Sequence, residues 1–361
     1  MTESAITKIL LVSGVAQPRG TSAYTLGLLR ELTLRSYECV LATVEGPMVA
    51  EYEKLSAQVH VLPKLDKPRS PFFPKQQLIS LATEAQPHIV HAQSQHAVAA
   101  AFHGAEALGV PCVLTIHMPL SKRGLKRAIA SVNGIIAVSQ AVREDLVNKV
   151  KIPKDMIQVI PNGLDVAQYN NAQPRREGSV PIIATAGPLE PQKAQKDFLA
   201  AAKLILDARH NVQLLVIGDG PEESRLRQQA TDLGIQKNVT FVTNLTDYRQ
   251  AIGTCDIFVL PSLQEGLGLS VLQAMAFGKP VVSSNAGGLC VLVRDGENGL
   301  MVKKSDPQGI AEAVGRLIED PGLAATLGSC ARRFVEAEFS IAACVDKTLA
   351  FFEEALSPTP P

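Results

Sequence analysis

Short apolar runs recur through the first half of the chain: "KILLVSG", "CVLATVEG", "HIVHAQ", "PCVLTIH", "GIIAVS" and "IQVIPN". Each is short for a helix and apolar on both faces, which predicts strands buried in a parallel sheet. Several are separated by stretches with helical spacing, "AYTLGLLRELTLR", "AVAAAFHGAEALG" and "QAVREDLVNKV". Residues 169–180, "YNNAQPRREGSV", lose periodicity, carry Pro and Gly, and predict a linker. The alternation then restarts: strand "PIIATAG", helix "KDFLAAAKLILDAR", strand "VQLLVIGDG", helix "EESRLRQQATDLG", then strands "VTFVT" and "IFVLPS". A helix within "EGLGLSVLQAMAFG" and the runs "KPVVSSN" and "NGLMV" complete this second array. From residue 307 to a polar "SPTPP" tail the chain reads as almost wholly helical.

Two successive βα arrays predict an α/β chain of two doubly wound Rossmann-like domains, residues 1–168 and 181–340, as its 361 residues also favour. In open α/β sheets ligands sit beyond the carboxyl ends of the strands. Two such domains facing across a cleft would place their chemistry in the strand-end loops.

Composition narrows the classes. Thirty-five basic and 35 acidic residues give a formal net charge of zero, so no global attraction to nucleic acid is expected. No run approaches the roughly 18 apolar residues of a membrane span. "MTESAITKILLVSGV" carries an early acid and alternates like a strand, unlike a leader peptide, so a cytoplasmic protein is expected. Cysteines at 39, 112, 255, 290, 330 and 344 form no C-x-x-C pair and read as reduced thiols, most of them in the core. No ligand spacing suggests a metal.

Five strand-end loops hold the candidate chemistry. In "VSGVAQPRGTSAY", Gly20, Thr21 and Ser22 open a helix whose free N–H groups suit a phosphate, or form an ordinary capped turn. His117 stands where the strand of "LTIHMP" stops; His91 ends another strand and is a secondary candidate, while His88 and His96 read as structural. In "GPLEPQKAQKDF", Gly187 permits close backbone approach, and Lys193 and Lys196 at a helix start are explained by an anion or by solvent. In "VIGDGPEESRL", Gly218 and Gly220 make a tight turn and Pro221 opens a helix. In the fifth loop Glu265 follows "IFVLPS" directly.

In this order the loops resemble the GT-B retaining glycosyltransferases of family 4, over nearly the whole chain. The carrying blocks are "VIPNGLD", "GPLEPQK", "VIGDGPE", "CDIFVLPSLQEGLGLSVLQAMAFGKPVVSSNAGG" and "DGENGLMV". The resemblance implies transfer of a hexose-type sugar, with retention, from a nucleotide-diphosphate donor held mainly by the second domain, without a cofactor or required metal. The acceptor, a glycan or lipid-linked molecule of the cell envelope or an exopolysaccharide, would lie mainly on the first domain, and the final helix, about 341–357, would cross back to it. Carried over by position, Glu265 contacts the donor sugar, and the amides around Gly266, Leu267, Gly268 and Leu269 hold sugar and phosphate. Lys193 neutralises the diphosphate, Gly20 approaches it, and His117 touches the sugar near the reacting centre.

Two positions depart from the family pattern. Gln273 stands where a second acid grips the ribose, a change worth about 1–2 kcal/mol of binding because neutral hydrogen bonds are weaker than charge-assisted ones. Pro188 stands where Arg is usual, and loss of a donor to developing charge costs roughly 3–4 kcal/mol. These departures keep a donor-binding but catalytically weak protein as an alternative; a GT-B sugar-nucleotide epimerase is a second.

Basic residues flank paired aromatics on the acceptor side: Lys64, Lys67, Arg69, Phe72 and Phe73, then Lys122, Arg123, Lys126 and Arg127. Solvated surface explains them, or peripheral docking on the inner face of an anionic membrane. If docking holds, changing these lysines and arginines to Gln abolishes co-sedimentation with anionic vesicles; unaltered co-sedimentation removes the reading.

Overall fold

The computed structural model describes residues 6–17, 20–55, 57–67, 70, 73–118, 132–170, 178–208, 210–243, 245 and 248–356. The chain divides into two compact units, Met1–Gly163 with Ile341–Pro361, and Leu164–Ser340.

Unit 1 carries strands β1 (Lys8–Ser13), β2 (Glu38–Thr43), β3 (Gln58–Val61), β4 (Ile89–Ala92), β5 (Cys112–Ile116), β6 (Gly134–Ala137) and β7 (Ile157–Val159). They form one parallel sheet in the order β3-β2-β1-β4-β5-β6-β7, with Val12 opposite Ala92 across its centre. The central strands are buried at nearly every position, so they read as continuous apolar runs. Edge strand β3, "QVHV", is partly exposed and mixes polar with apolar residues, so the pattern of buried runs passes over it. Helix α1 (Gly20–Leu34) turns Tyr24, Leu28, Leu29 and Leu32 inward. Helix α2 (Lys75–Ala85), absent from the sequence-based reading, buries Leu78, Leu81, Ala82 and Ala85 at regular helical spacing.

The last helix, Ile341–Leu356, belongs to unit 1. Its Ile341, Cys344, Val345, Phe351 and Phe352 join the core formed by Ile9, Leu11, Leu28 and Leu32. On the surface Arg35 reaches the Asp346 carboxylate and donates to the Ala342 carbonyl at 3.2 Å.

Unit 2 repeats the plan with β8 (Ile182–Ala186), β9 (Gln213–Ile217), β10 (Val239–Val242), β11 (Ile257–Leu260), β12 (Val281–Ser284) and β13 (Leu300–Val302), ordered β10-β9-β8-β11-β12-β13. Its core joins Ile183, Leu214, Val259 and Val282 from the sheet to Phe198, Leu226, Ile310 and Val314 from helices. The helical tail is broken into Pro307–Glu319, Pro321–Glu338 and the last helix. Asp306 and Asp320 cap the first two, accepting from the N–H groups of Gly309 and Leu323 at 2.9 Å, with proline at the first helical position.

Tyr169, at the start of the expected linker, is buried in unit 2 with its ring edge-on to Phe277 at 4.9 Å. Arg332 Nη1 donates to the carbonyls of Tyr169 (3.1 Å) and Ala276 (3.0 Å). Residues 171–177 of that linker lie outside the described residues. All six cysteines are free, and burial pushes the thiols of Cys39, Cys112 and Cys255 up to about 12.

In both sheets the strand order reverses once, between β1 and β4 and between β8 and β11. The loops at those two points are where an open α/β sheet offers a ligand its crevice.

Backbone approach gives a graded test of the packing. A Cβ on Gly328 would lie 2.1 Å from the Gly278 carbonyl oxygen, whereas one on Gly134 would lie 2.6 Å from Cζ of the Phe351 ring. Overpacking against fixed backbone should cost more than against a ring that can shift, about 3 against about 1 kcal/mol. Thermal denaturation should place Gly328→Ala below Gly134→Ala and both below wild type; the reverse order contradicts this packing.

Candidate functional site

In unit 2 the loops after β8 and β11 are joined at the reversal of strand order. Leu263 N–H donates to the Gln192 carbonyl at 2.8 Å. One residue on from Gln192, Lys193 Nζ lies 2.5 Å from Oε2 of Glu265; the two side chains are 12% and 6% exposed. Ser262 Oγ donates to the same oxygen at 3.2 Å, and Ser284 Oγ, from the end of β12, donates to the Ser262 carbonyl at 2.5 Å. Among the described residues both bonds to the carboxylate fall on Oε2, leaving Oε1 as the acceptor open to a ligand.

Local backbone geometry sets this pair. A short 3₁₀ turn, Pro191–Lys193, ends at Ala194 in the left-handed region (φ 52°), and helix α3 (Gln195–Asp207) begins after it. That conformation costs a non-glycine residue about 1–2 kcal/mol, which the packing around buried Ala194 must offset. On the other side, Gly268 (φ 96°) caps helix α4 (Leu269–Ala276), and a Cβ there would lie 2.4 Å from Leu289 Cδ2.

Gly287 and Gly288, which the strand-end reading passes over, pack against the backbone of the candidate site. Cβ atoms on them would lie 2.2 Å from the Glu265 oxygen and 1.9 Å from the Gly266 oxygen, and Gly288 N–H donates to the Glu265 carbonyl at 3.1 Å. The signal available was the "AGG" doublet after β12. The backbone of residues 265–268 is thus bracketed, and helix α4 presents first-turn amides that lack intrahelical acceptors.

Along α4, Leu272, Met275 and Ala276 pack inward as their spacing predicts, while Leu269 is partly buried. Gln273 is 9% exposed, and its side chain makes no hydrogen bond among the described residues. Gly187 N–H donates to the Ile217 carbonyl at 3.0 Å, and the Pro188 carbonyl accepts from buried Gln195 Nε2 at 3.0 Å. Gly220 lies against the loop after β8: Leu189 N–H donates to the Asp219 carbonyl, and a Cβ at Gly220 would lie 2.4 Å from the Leu189 oxygen. Lys196 is exposed on α3, its carbonyl taken by Gln229 Nε2 at 2.9 Å, and among the described residues no hydrogen bond or ion pair joins it to the Lys193–Glu265 pair.

Unit 1 has its own polar cluster at its own reversal point. His117, after β5, is partly buried; Nε2 lies 3.0 Å from the Gln93 carbonyl, and the Tyr24 ring meets it edge-on at 4.9 Å. A carbonyl only accepts, so Nε2 carries the proton, and in the neutral ring Nδ1 holds the lone pair. Burial of the ring lowers its pKa to about 4, offset in part by that hydrogen bond. His91 is fully buried between Gln93 Nε2 (2.9 Å) and Thr115 Oγ1 (2.8 Å), and burial followed by the proximity of His117 lowers it to about 3.

Gly20 is exposed at the start of α1 and Thr21 follows it; Ser22 Oγ is spent on the Val15 carbonyl at 3.3 Å. His88 Nδ1 accepts from Thr7 N–H at 3.1 Å, and His96 is exposed. Lys64 and Lys67 are exposed, and Phe73 lies 6.4 Å from the His103 ring. Arg69, Phe72, Lys122, Arg123, Lys126 and Arg127 lie outside the described residues. No described helix is long and apolar enough to cross a membrane. Among the described residues no group of three His, Cys, Asp or Glu could hold a metal ion.

The family and the fold follow from similarity to known proteins. Glycosyltransferase Family 4 matches residues 18–168, and Glycosyl transferases group 1 matches residues 168–334. A GDP-mannose-dependent monoacylated alpha-(1-6)-phosphatidylinositol monomannoside mannosyltransferase of Corynebacterium glutamicum is 34% identical over 201 residues, 50% of this chain and 52% of that protein. A D-inositol 3-phosphate glycosyltransferase of Nocardia farcinica is 32% identical over 220 residues, 56% of this chain and 49% of its own. The match thus spans about half the length of these curated relatives. Among solved structures, Anabaena HepE in complex with UDP-glucose superposes with a TM-score of 0.84 over 97% of this chain and 100% of its own, at 23% identity, a likeness of fold. With the two family matches running consecutively from residue 18 to residue 334, the chain belongs to glycosyltransferase family 4 and carries the GT-B fold.

Proposed function

We propose that the protein is a retaining glycosyltransferase that moves a hexose-type sugar from a nucleotide-diphosphate donor to a glycan or lipid-linked acceptor in cell-envelope or exopolysaccharide synthesis. The observation that carries this reading is the buried Lys193–Glu265 pair beside the N-terminus of α4. Cleaving a bond between sugar and diphosphate builds negative charge on the leaving phosphate. A lysine and fixed first-turn amides aimed at that charge lower the barrier most where water is excluded.

Glu265 acts in this reading as an acceptor, not as a base. Its Oε2 is held by Lys193 and Ser262, so the carboxylate is already neutralised, and Oε1 takes a hydroxyl of the donor sugar. The leaving phosphate then accepts the proton of the acceptor hydroxyl on the same face, which yields retention. In unit 1, neutral His117 offers Nδ1 to a sugar hydroxyl. Buried Gln273, with its carboxamide unspent, accepts from and donates to the ribose hydroxyls.

Pro188 favours a second reading, a protein that binds donor and transfers poorly. It has no N–H, and Gln195 takes its carbonyl, so it offers the diphosphate no donor. Turnover decides between the two.

Binding of UDP-, GDP- and ADP-sugars should single out one nucleotide class, and proton NMR of the product should show the anomeric configuration of the donor; inversion would refute the retaining mechanism. Lys193→Ala should weaken donor binding at least tenfold and also destabilise the fold by about 3 kcal/mol, because it strands a buried carboxylate. Lys193→Met with Glu265→Gln should recover that stability without recovering binding. If the double variant binds donor like wild type, the pair is structural only. Gln273→Glu should tighten donor binding by about one decade with little change in the chemical step. Unchanged affinity would remove Gln273 from the ribose site.

A further inference from the structure

The polar network behind His117 exceeds what the fold requires. Gln93 follows β4, is fully buried, and has every polar group engaged. Its N–H donates to the Val12 carbonyl at 2.8 Å, fixing it to β1. Its Nε2 donates to His91 Nδ1 at 2.9 Å, and its Oε1 accepts from Thr25 Oγ1 at 3.3 Å. What remains is the main-chain carbonyl, which accepts from His117 Nε2 at 3.0 Å. His91 is gripped in turn by Thr115 Oγ1 at 2.8 Å and by the edge of the Phe352 ring at 5.0 Å. Thr25, His91, Gln93 and Thr115 are all fully buried. Apolar residues of similar volume could fill this part of the core without desolvating amide and imidazole groups, so packing alone does not account for the network.

We propose that Gln93 and His91 are positioning residues for His117: their buried amide–imidazole contact holds the Gln93 carbonyl against Nε2, and so keeps the lone pair of His117 on Nδ1, free to accept a sugar hydroxyl. This rests on the reading of His117 as a sugar contact. Among the described residues no protein group takes Nδ1. The Tyr24 ring closes one side of the imidazole, so the ring plane is held as well as the proton position.

The test uses full-length protein labelled with 15N-histidine and long-range 15N–1H correlation of the imidazoles, with His117→Gln to assign the signals. Wild type should show His117 as the Nε2–H tautomer at neutral pH. His91→Leu should mix the His117 tautomers. It should also lower kcat about tenfold or more, as expected for a displaced catalytic contact, with donor KM little changed, using whichever of UDP-glucose, GDP-mannose or ADP-glucose turns over. His91→Asn returns a partner for the Gln93 amide and should restore the His117 spectrum and most of the rate. An Nδ1–H tautomer in wild type, or an unaltered His117 spectrum in His91→Leu, overturns the proposal. If His91→Leu does not fold, wild type and His91→Asn decide: an altered His117 spectrum in His91→Asn contradicts it. Failure of every donor to turn over refutes the functional reading instead, and leaves the spectra to decide the positioning.

Discussion

An ammonium and a carboxylate set together below the surface constrain everything around them. Each would be costly alone, and their attraction offsets that cost only if the geometry is kept. The carboxyl edge of unit 2 is organised accordingly. Lys193 and Glu265 are 72 residues apart in sequence, on loops from neighbouring strands. The Leu263–Gln192 hydrogen bond fixes the spacing of those loops, and two serines tie the carboxylate back to β11 and β12. Gly287 and Gly288 let a third loop close over the backbone of Glu265 and Gly266. A side chain at either glycine would push the carboxylate away from its lysine.

Unit 1 meets a different constraint. Its cluster carries no charge: burial keeps His91 and His117 neutral, and order comes from matching donors to acceptors. An ion pair sets two opposite charges at fixed positions. A neutral network instead fixes which atom holds a lone pair, and the same topological reversal in the two sheets has been furnished with these two chemistries.

The sequence discloses these features unequally, for physical reasons. Central parallel strands are buried on both faces, so β1, β4, β8 and β11 stand out as apolar runs, and Glu265 and His117 can be singled out as candidates because they stand where such runs stop. Strand β3 is hidden because an edge strand needs no apolar face toward solvent. The breaks in the helical tail were present as two Asp-Pro pairs, whose aspartates now cap the helices. The glycine doublet at 287–288 is visible, but its partner Gly266 could not be read, since close approach is a relation between distant positions. Gln93 stayed hidden for another reason: the group that touches His117 is its carbonyl, which every residue has.

The last helix gives unit 1 a core made from two ends of the chain. Phe351 and Phe352 pack with residues of β1 and α1, yet all of unit 2 intervenes in sequence. A ribosome delivers the chain from its N-terminus, so unit 1 emerges first with an apolar face uncovered, while unit 2 leaves with its core complete. The earlier-made unit is therefore finished later. Through that interval part of its core stays open, until the helix that closes it has been synthesised.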